Sequence, residues 1–116
     1  SNDGTAGGAI RTLKEEGVAG KVLVTGQDAD LVAVQRILAG TQHMTIYKPI
    51  KMIAKKAAEL AIDLASGKPI IAADGIDNGF KKVPSVLLDV TVVHKNNVDE
   101  TVVKDGFHTA EALGIK

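Results

Sequence analysis

Apolar residues in this chain alternate between short continuous runs and stripes with helical spacing. The first stripe has the i, i+3, i+4, i+7 spacing of one helix face and consists of Ala6, Ala9, Ile10 and Leu13. The run at residues 21–25 is apolar without alternation, which is typical of a strand covered on both faces. A second stripe at Leu31–Leu38 and a second run at Met44–Tyr47 follow. This order predicts an α/β fold with a parallel, doubly wound sheet.

Polar and glycine residues predict where the first two helices begin and end. Asn2 or Asp3 can cap the first helix, and Gly17 can end it. Asp28 or Asp30 can cap the second helix, which Gly40 closes.

The most regular helical stripe follows Pro49, a residue that suits the first turn of a helix. The stripe ends before Gly67 and consists of Ile50, Ile53, Ala54, Ala57, Leu60, Ala61 and Leu64. Beyond it, β-rich runs at residues 70–73 and 83–93 flank Asn78-Gly79, a tight-turn signal that predicts a β-ribbon.

The valines near the end of the chain predict one more short helix, around residues 98–103. The segment after Gly106 is expected to be loosely held.

Composition excludes several classes of function. The 116 residues carry zero formal net charge, so nothing attracts the chain to nucleic acid or to an anionic membrane. Cysteine is absent, which excludes disulfides and thiol chemistry. No apolar run approaches the ~18 residues that a membrane-spanning helix needs. The three histidines lack metal-ligand spacing and no nucleophile is activated, so we expect neither a metal, a cofactor nor an enzymatic activity.

Three polar residues mark the expected ends of strands: Asp28 and Lys48 each follow a predicted strand, and Asn2 stands where an upstream strand would end. The carboxyl ends of parallel strands line the ligand crevice of open sheets, so these side chains can converge there. An amide, a carboxylate and an ammonium suit a small, uncharged, hydroxyl-rich ligand such as a sugar. Ordinary roles compete with this hypothesis, because Asn2 and Asp28 can be helix caps and Lys48 can be a solvated lysine.

Several segments of the sequence together resemble one family. Residues 1–10 (SNDGTAGGAI), 26–30 (GQDAD), 45–50 (TIYKPI), 83–89 (VPSVLLD) and 97–107 (NVDETVVKDGF) look like the C-terminal part of bacterial D-xylose-binding proteins. These are the extracytoplasmic receptors of ABC sugar importers, with the type I periplasmic-binding-protein fold. Matched by motif, Asn2, Asp28 and Lys48 fall on sugar-contacting positions.

The resemblance also implies a division of the chain into three parts. Residues 1–48 would belong to the C-terminal sugar-binding lobe, whose parallel sheet is incomplete here. Residues 49–84 would form a crossover helix and β-ribbon of the interlobe region, packing on an N-terminal lobe. Residues 85–116 would supply a hinge strand, a short helix and a tail.

The same resemblance implies partners and a location. The ligand would be D-xylose or a related pentose or hexose, and the whole receptor would meet an ABC permease or a membrane sensor. It would lie in the periplasm or at the cell surface, held by a lipid anchor in a Gram-positive parent. The chain opens at Ser1 without Met, and we expect a fragment whose bare helical stripe is covered by the N-terminal lobe or by a second copy.

Three other functions remain as alternatives. A sugar-sensing partner of a signalling system would share the same fold, and fold alone does not separate it from a transport receptor. A half-lobe without ligand is another reading. A two-component receiver domain has a comparable Lys-Pro after a strand, at Lys48-Pro49, but the chain lacks that family's acidic pair.

Overall fold

The computed structural model of the protein describes residues 1–72 and 74–115. The chain forms two compact units. The first comprises Ser1–Lys48 and the segment from Val90 onward, and the second comprises Pro49–Asp89. The chain therefore passes between the units at Lys48-Pro49 and again at Asp89-Val90.

The first two helices lie where the sequence predicts them. Helix α1 spans Asp3–Glu15, with Asn2 as its N-cap, and Gly17 follows it in the left-handed conformation at φ 69°. Helix α2 spans Leu31–Leu38, and Asp30 occupies its N-cap position without making a side-chain cap bond. Asp28 is therefore not the cap of α2, and its carboxylate is available for another role.

Strand β1, Met44–Tyr47, is bonded along both of its edges. On one edge it pairs antiparallel with β4, Thr91–His94. On the other edge residues 24–28 run parallel to it, with bonds from Gly26 N to Met44 O (3.0 Å) and from Asp28 N to Ile46 O (2.8 Å). The start of β1 thus lies beside residue 24 and its end lies beside Asp28.

The predicted parallel, doubly wound sheet is not seen in the described chain. Both two-stranded sheets are antiparallel. Parallel pairing among the described residues is limited to residues 24–28 beside β1, which include the bridge between Thr25 and Met44, and to one isolated bridge between Ala19 and Val22. The prediction of a strand buried on both faces at residues 21–25 is wrong, since Val22 and Leu23 are 47% and 74% exposed. Apolar composition cannot supply the neighbouring strands and covering layers that would bury such a run.

The core of the first unit gathers mainly valine side chains, with an alanine, a tyrosine and a leucine, from distant parts of the sequence. Its buried members are Ala29, Val34, Tyr47, Val93, Val98, Val102 and Leu113. The predicted helix near residue 100 is present as a π-helical segment, Asp99–Val103. The expectation of a loosely held tail is wrong, because α4, Ala110–Leu113, buries Leu113 and packs against α2.

The second unit consists of one helix and one ribbon. Helix α3, Ile50–Ala65, has no buried residue, so its apolar stripe is exposed as expected. Strands β2, Asp74–Asp77, and β3, Lys82–Ser85, form the predicted ribbon, with Asn78 in the turn.

The β-rich runs around this ribbon are shorter than predicted. Residues 70–72 are not a strand, and Ala73 lies outside the described residues. The run at residues 83–93 is interrupted between β3 and β4.

Candidate functional site

The side chains of Asp28 and Lys48 form an ion pair at the end of β1. The Lys48 Nζ atom lies 2.6 Å from Asp28 Oδ1, and the two side chains are 40% (Asp28) and 37% (Lys48) exposed. Exposed pairs of this kind contribute at most about 1 kcal/mol, because water screens them. The pair can therefore open at little cost when another polar molecule offers donors and acceptors.

The backbone at Asp28 has a conformation that residues other than glycine rarely adopt. Asp28 and Ala29 have φ values of 99° and 54°, in the left-handed half of conformational space. Such residues cost about 1–3 kcal/mol each and persist where surrounding contacts fix them. Here Ala29 N donates to Thr45 Oγ1 at 3.2 Å, and Ala29 O accepts from His108 Nε2 at 2.7 Å. The loop at residues 28–30 is thus held from two sides.

The side-chain amide of Asn2 caps α1 through its oxygen, and its nitrogen is not used in the cap. Its Oδ1 atom accepts hydrogen bonds from Thr5 N (3.1 Å) and Thr5 Oγ1 (3.0 Å), which caps α1. The residue is exposed, and within residues 1–72 and 74–115 its Nδ2 group has no hydrogen-bond partner. Asn2 makes no direct bond to Asp28 or Lys48 among these residues, so the structure brings together two of the three predicted side chains.

Asp3 lies beside this site and was missed by sequence reasoning beyond its possible role as a cap. It is 1% exposed, and its carboxylate accepts bonds from Asp30 N at 3.0 Å, Thr45 Oγ1 at 2.9 Å and Gln42 Nε2 at 2.8 Å. Asp3 N also donates to Gln27 O at 3.0 Å, which joins the start of α1 to the loop. The sequence signal is weak, because an acidic residue in the first helical turn is normally read as a surface feature.

Phe107 and His108, from the C-terminal segment, support the end of β1 and the loop at residues 28–30. Phe107 packs between Tyr47 and His108, with ring centroids 4.9 Å and 4.6 Å away. Tyr47 Oη donates a hydrogen bond to Asp105. Burial, with the hydrogen bond and negative charge of Asp105, raises the pKa of Tyr47 from 10.0 to about 12. Tyr47 therefore stays neutral and serves as a packing and hydrogen-bonding group.

The three predicted site residues lie apart from the cavity at the start of β1. A cavity of about 360 Å³ lies near the start of β1, around His43 and Met44, and none of Asn2, Asp28 and Lys48 lines it. Among the described residues, no group of three acidic, histidine or cysteine side chains could hold a metal ion. Nor does any helix in the same residues have the length and apolar character needed to cross a bilayer.

Comparison with known proteins identifies the relatives of this chain. It is 54% identical over 113 residues to the D-xylose-binding periplasmic protein of Haemophilus influenzae, and 53% identical to the protein of the same name from Escherichia coli. The matches cover 97% of this chain and 34% of each relative, so the chain spans about a third of their length. The resemblance read from the sequence motifs is confirmed.

A solved structure has the same fold over nearly the whole chain. It is a carbohydrate transporter solute-binding protein from Chloroflexus aurantiacus in complex with D-glucose, with a TM-score of 0.86 and 31% identity. The match covers 96% of this chain and 33% of that protein.

The relatives agree with the expectation that the chain is not an enzyme, since they are named as binding proteins. They also leave no support for a receiver domain. Residues 1–69 match the family described as "Periplasmic binding protein domain". This match covers more than half of the sequence, and the chain belongs to that family.

Proposed function

We propose that this chain is part of an extracytoplasmic receptor for D-xylose or a related pentose or hexose, serving an ABC importer. The observation that carries the proposal is the solvent-accessible ion pair between Asp28 and Lys48, set on a loop with left-handed backbone. The names of the relatives, D-xylose-binding periplasmic proteins, support the choice of ligand and of the periplasm. We place the receptor in the periplasm or at the cell surface.

The chemistry of the pair suits a neutral polyol. A carboxylate accepts hydrogen bonds from hydroxyl groups and an ammonium donates to their oxygens, and both kinds of bond are stronger than those between neutral groups. The charges of Asp28 and Lys48 cancel, so the site has no requirement for a charged ligand. The Nδ2 group of Asn2, which has no hydrogen-bond partner among the described residues, would donate to a further sugar oxygen.

The finer architecture is also part of the proposal. In the whole receptor, further strands would complete a parallel, doubly wound sheet beside residues 24–28, and the sugar would lie between two lobes. The exposed stripe of α3 would pack on the N-terminal lobe. The support is that Ile50, Ile53 and Leu64, all members of the stripe, are 60%, 40% and 64% exposed, an arrangement that normally marks an interaction surface. A second copy of the chain is the other candidate for this surface.

Titration of the ¹⁵N-labelled chain with D-xylose tests the proposal. We expect amide shifts to concentrate at residues 2, 28–30 and 48 and to saturate at millimolar sugar, because one lobe supplies only part of the hydrogen bonds. Asp28→Asn should weaken this binding. The matched control is Asp63→Asn, whose carboxylate pairs with Lys68 on the exposed surface. Saturating shifts elsewhere would refute the assignment of this site, and no saturating shifts at all would leave the chain as a half-lobe without ligand.

A further inference from the structure

We infer that Asp3 is a positioning residue for the candidate site, fixing the loop that carries Asp28 and the helix start that carries Asn2. The inference rests on the proposed sugar-binding function, since it assigns a role to a residue that does not itself face the ligand. Asp3 is 1% exposed and belongs to α1. Its contacts reach three other parts of the chain: residues 26–30, α2 with the turn that follows it, and β1.

The two carboxylate oxygens of Asp3 accept three hydrogen bonds, one from each of these parts of the chain. Oδ2 accepts from the backbone amide of Asp30 at 3.0 Å and from the hydroxyl of Thr45 at 2.9 Å. Oδ1 accepts from Gln42 Nε2 at 2.8 Å. Every polar side-chain atom buried among the described residues has a partner. Both carboxylate oxygens of Asp3 therefore have protein donors, and at 1% exposure the side chain is closed to a ligand.

Thr45 extends the influence of Asp3 to the strained part of the loop. A hydroxyl has a single proton, and that of Thr45 is given to Asp3. Its oxygen is then oriented to accept from Ala29 N, at 3.2 Å. Two successive amides, those of residues 29 and 30, thus bind to Asp3 directly or through Thr45. These bonds hold the left-handed backbone that aims Asp28 at Lys48.

The backbone of Asp3 fixes the position of Asn2 relative to the same loop. Asp3 N donates to Gln27 O at 3.0 Å, and Asp3 O accepts from Arg36 Nη2 at 2.9 Å. Arg36 Nε in turn donates to Gln42 Oε1 at 3.0 Å, which orients the Gln42 amide toward Asp3. Asn2 directly precedes Asp3 in the sequence, so its location follows that of Asp3.

This network demands a carboxylate at position 3. An asparagine keeps the size of the side chain but replaces one acceptor oxygen with a donor. In either orientation its amino group would face another donor, Gln42 Nε2 on one side or Asp30 N and Thr45 Oγ1 on the other. The loop would lose part of its support while the apolar core remains intact.

The test compares Asp3→Asn with wild type in sugar titration and amide hydrogen exchange on the full chain. We expect the dissociation constant for D-xylose to rise about tenfold, the effect of one lost hydrogen bond. Exchange of the amides of Ala29 and Asp30 should accelerate by about tenfold as well. Core amides, those of Ile37 and Val93, should keep their exchange rates.

Two further variants separate positioning from general stability. Thr45→Val removes the hydroxyl at nearly constant volume and should loosen Ala29, whereas Thr45→Ser retains the hydroxyl and should restore both exchange rate and affinity. Asp63→Asn is the control for loss of a carboxylate at an exposed pair. Unchanged exchange at residues 29 and 30 in Asp3→Asn would overturn the inference. Accelerated exchange throughout the core would also overturn it, since Asp3 would then be merely structural.

The outcome for Asp3 can be distinguished from the outcome for the sugar-binding proposal. If wild type binds D-xylose and Asp3→Asn binds it equally well, the positioning role is wrong and the proposed function stands. If wild type does not bind, the proposed function fails for this chain. In that case selective loosening of residues 29 and 30 would still support the role of Asp3 in shaping the loop, and unchanged exchange would refute it.

Discussion

Lys48 Nζ lies 2.6 Å from Asp28 Oδ1, at the point where the chain leaves β1 and the first unit. The two residues are 20 positions apart in sequence (48 − 28), and the bond from Asp28 N to Ile46 O brings them together. The pair therefore exists because residues 24–28 run parallel to β1, and a shift in that pairing would separate the two charges.

Replacing Lys48 by methionine should reduce sugar affinity with little effect on stability. The side chain is 37% exposed, so loss of the ion pair should change the free energy of unfolding by at most about 1 kcal/mol. Loss of a charged donor to the ligand should weaken D-xylose binding by about ten- to a hundredfold. Urea denaturation and NMR titration measure the two effects.

The matched control for this variant is Lys56→Met. Lys56 forms an ion pair of similar exposure with Glu59, at 2.9 Å, in the second unit. The Lys56→Met variant should leave D-xylose affinity unchanged. An equal loss of affinity in both variants would contradict a ligand role for Lys48.

Replacing Gly26 by alanine should be strongly destabilising. A Cβ atom at this position would lie 2.0 Å from Asp3 Oδ1 and 2.9 Å from Gln42 Nε2, so a buried polar network would have to move. Overpacking of this kind costs about 1–3 kcal/mol. Gly8→Ala is the control, because a Cβ there meets open space within α1 and should stabilise the helix by up to about 1 kcal/mol. Thermal denaturation of the two variants should shift in opposite directions.

Replacing His108 by phenylalanine should lower the free energy of unfolding, because the C-terminal segment loses its hydrogen bond to Ala29. The ring can still pack on Phe107, but Ala29 O, in a fully buried residue, loses its donor. An unsatisfied buried carbonyl costs about 1–3 kcal/mol. His43→Phe, at an exposed ring, should change stability by no more than about 0.5 kcal/mol. Equal stability of the two variants would mean that the bond to Ala29 contributes nothing.

Stability should fall as pH rises from about 10 to 12, because of Tyr47. The pKa of this group is raised from 10.0 to about 12 in the folded chain, so the folded state retains the phenol proton where the unfolded state has lost it. The contribution is fully present below pH 10 and is lost as the pH passes through 12. Tyr47 is the sole tyrosine, so phenolate absorbance reports on it alone. Tyr47→Phe should abolish this part of the pH dependence; a midpoint near 10 in wild type would contradict it.

Leu64→Lys should weaken association through the exposed face of α3 without unfolding the chain. Leu64 is 64% exposed, so its replacement should change the unfolding free energy by no more than about 0.5 kcal/mol. If a second copy covers this face, light scattering should show a dimer for wild type and a monomer for the variant. The control is Ala58→Lys, at an exposed position outside the predicted stripe. A monomeric wild type would leave the N-terminal lobe as the proposed partner.

The local structure of this chain was readable from its sequence, because it depends on neighbouring residues. Helical spacing located α1, α2 and α3, and Asn78-Gly79 located the ribbon. The sequence also predicted Asn2, Asp28 and Lys48 as residues of the site, and their role as ligand residues stays a prediction. These features follow from side-chain periodicity, capping groups and turn chemistry, all of which act over a few residues.

Only the tertiary structure decided which of these features meet and what supports them. It showed that residues 21–23 are exposed, that the tail packs on α2, and that Asp3 is buried among donors from three segments. Burial of a carboxylate and a positive φ at Asp28 depend on hydrogen bonds between residues far apart in sequence. Sequence periodicity gives no information about such partners. The residues that support the site could therefore be identified only from the tertiary structure.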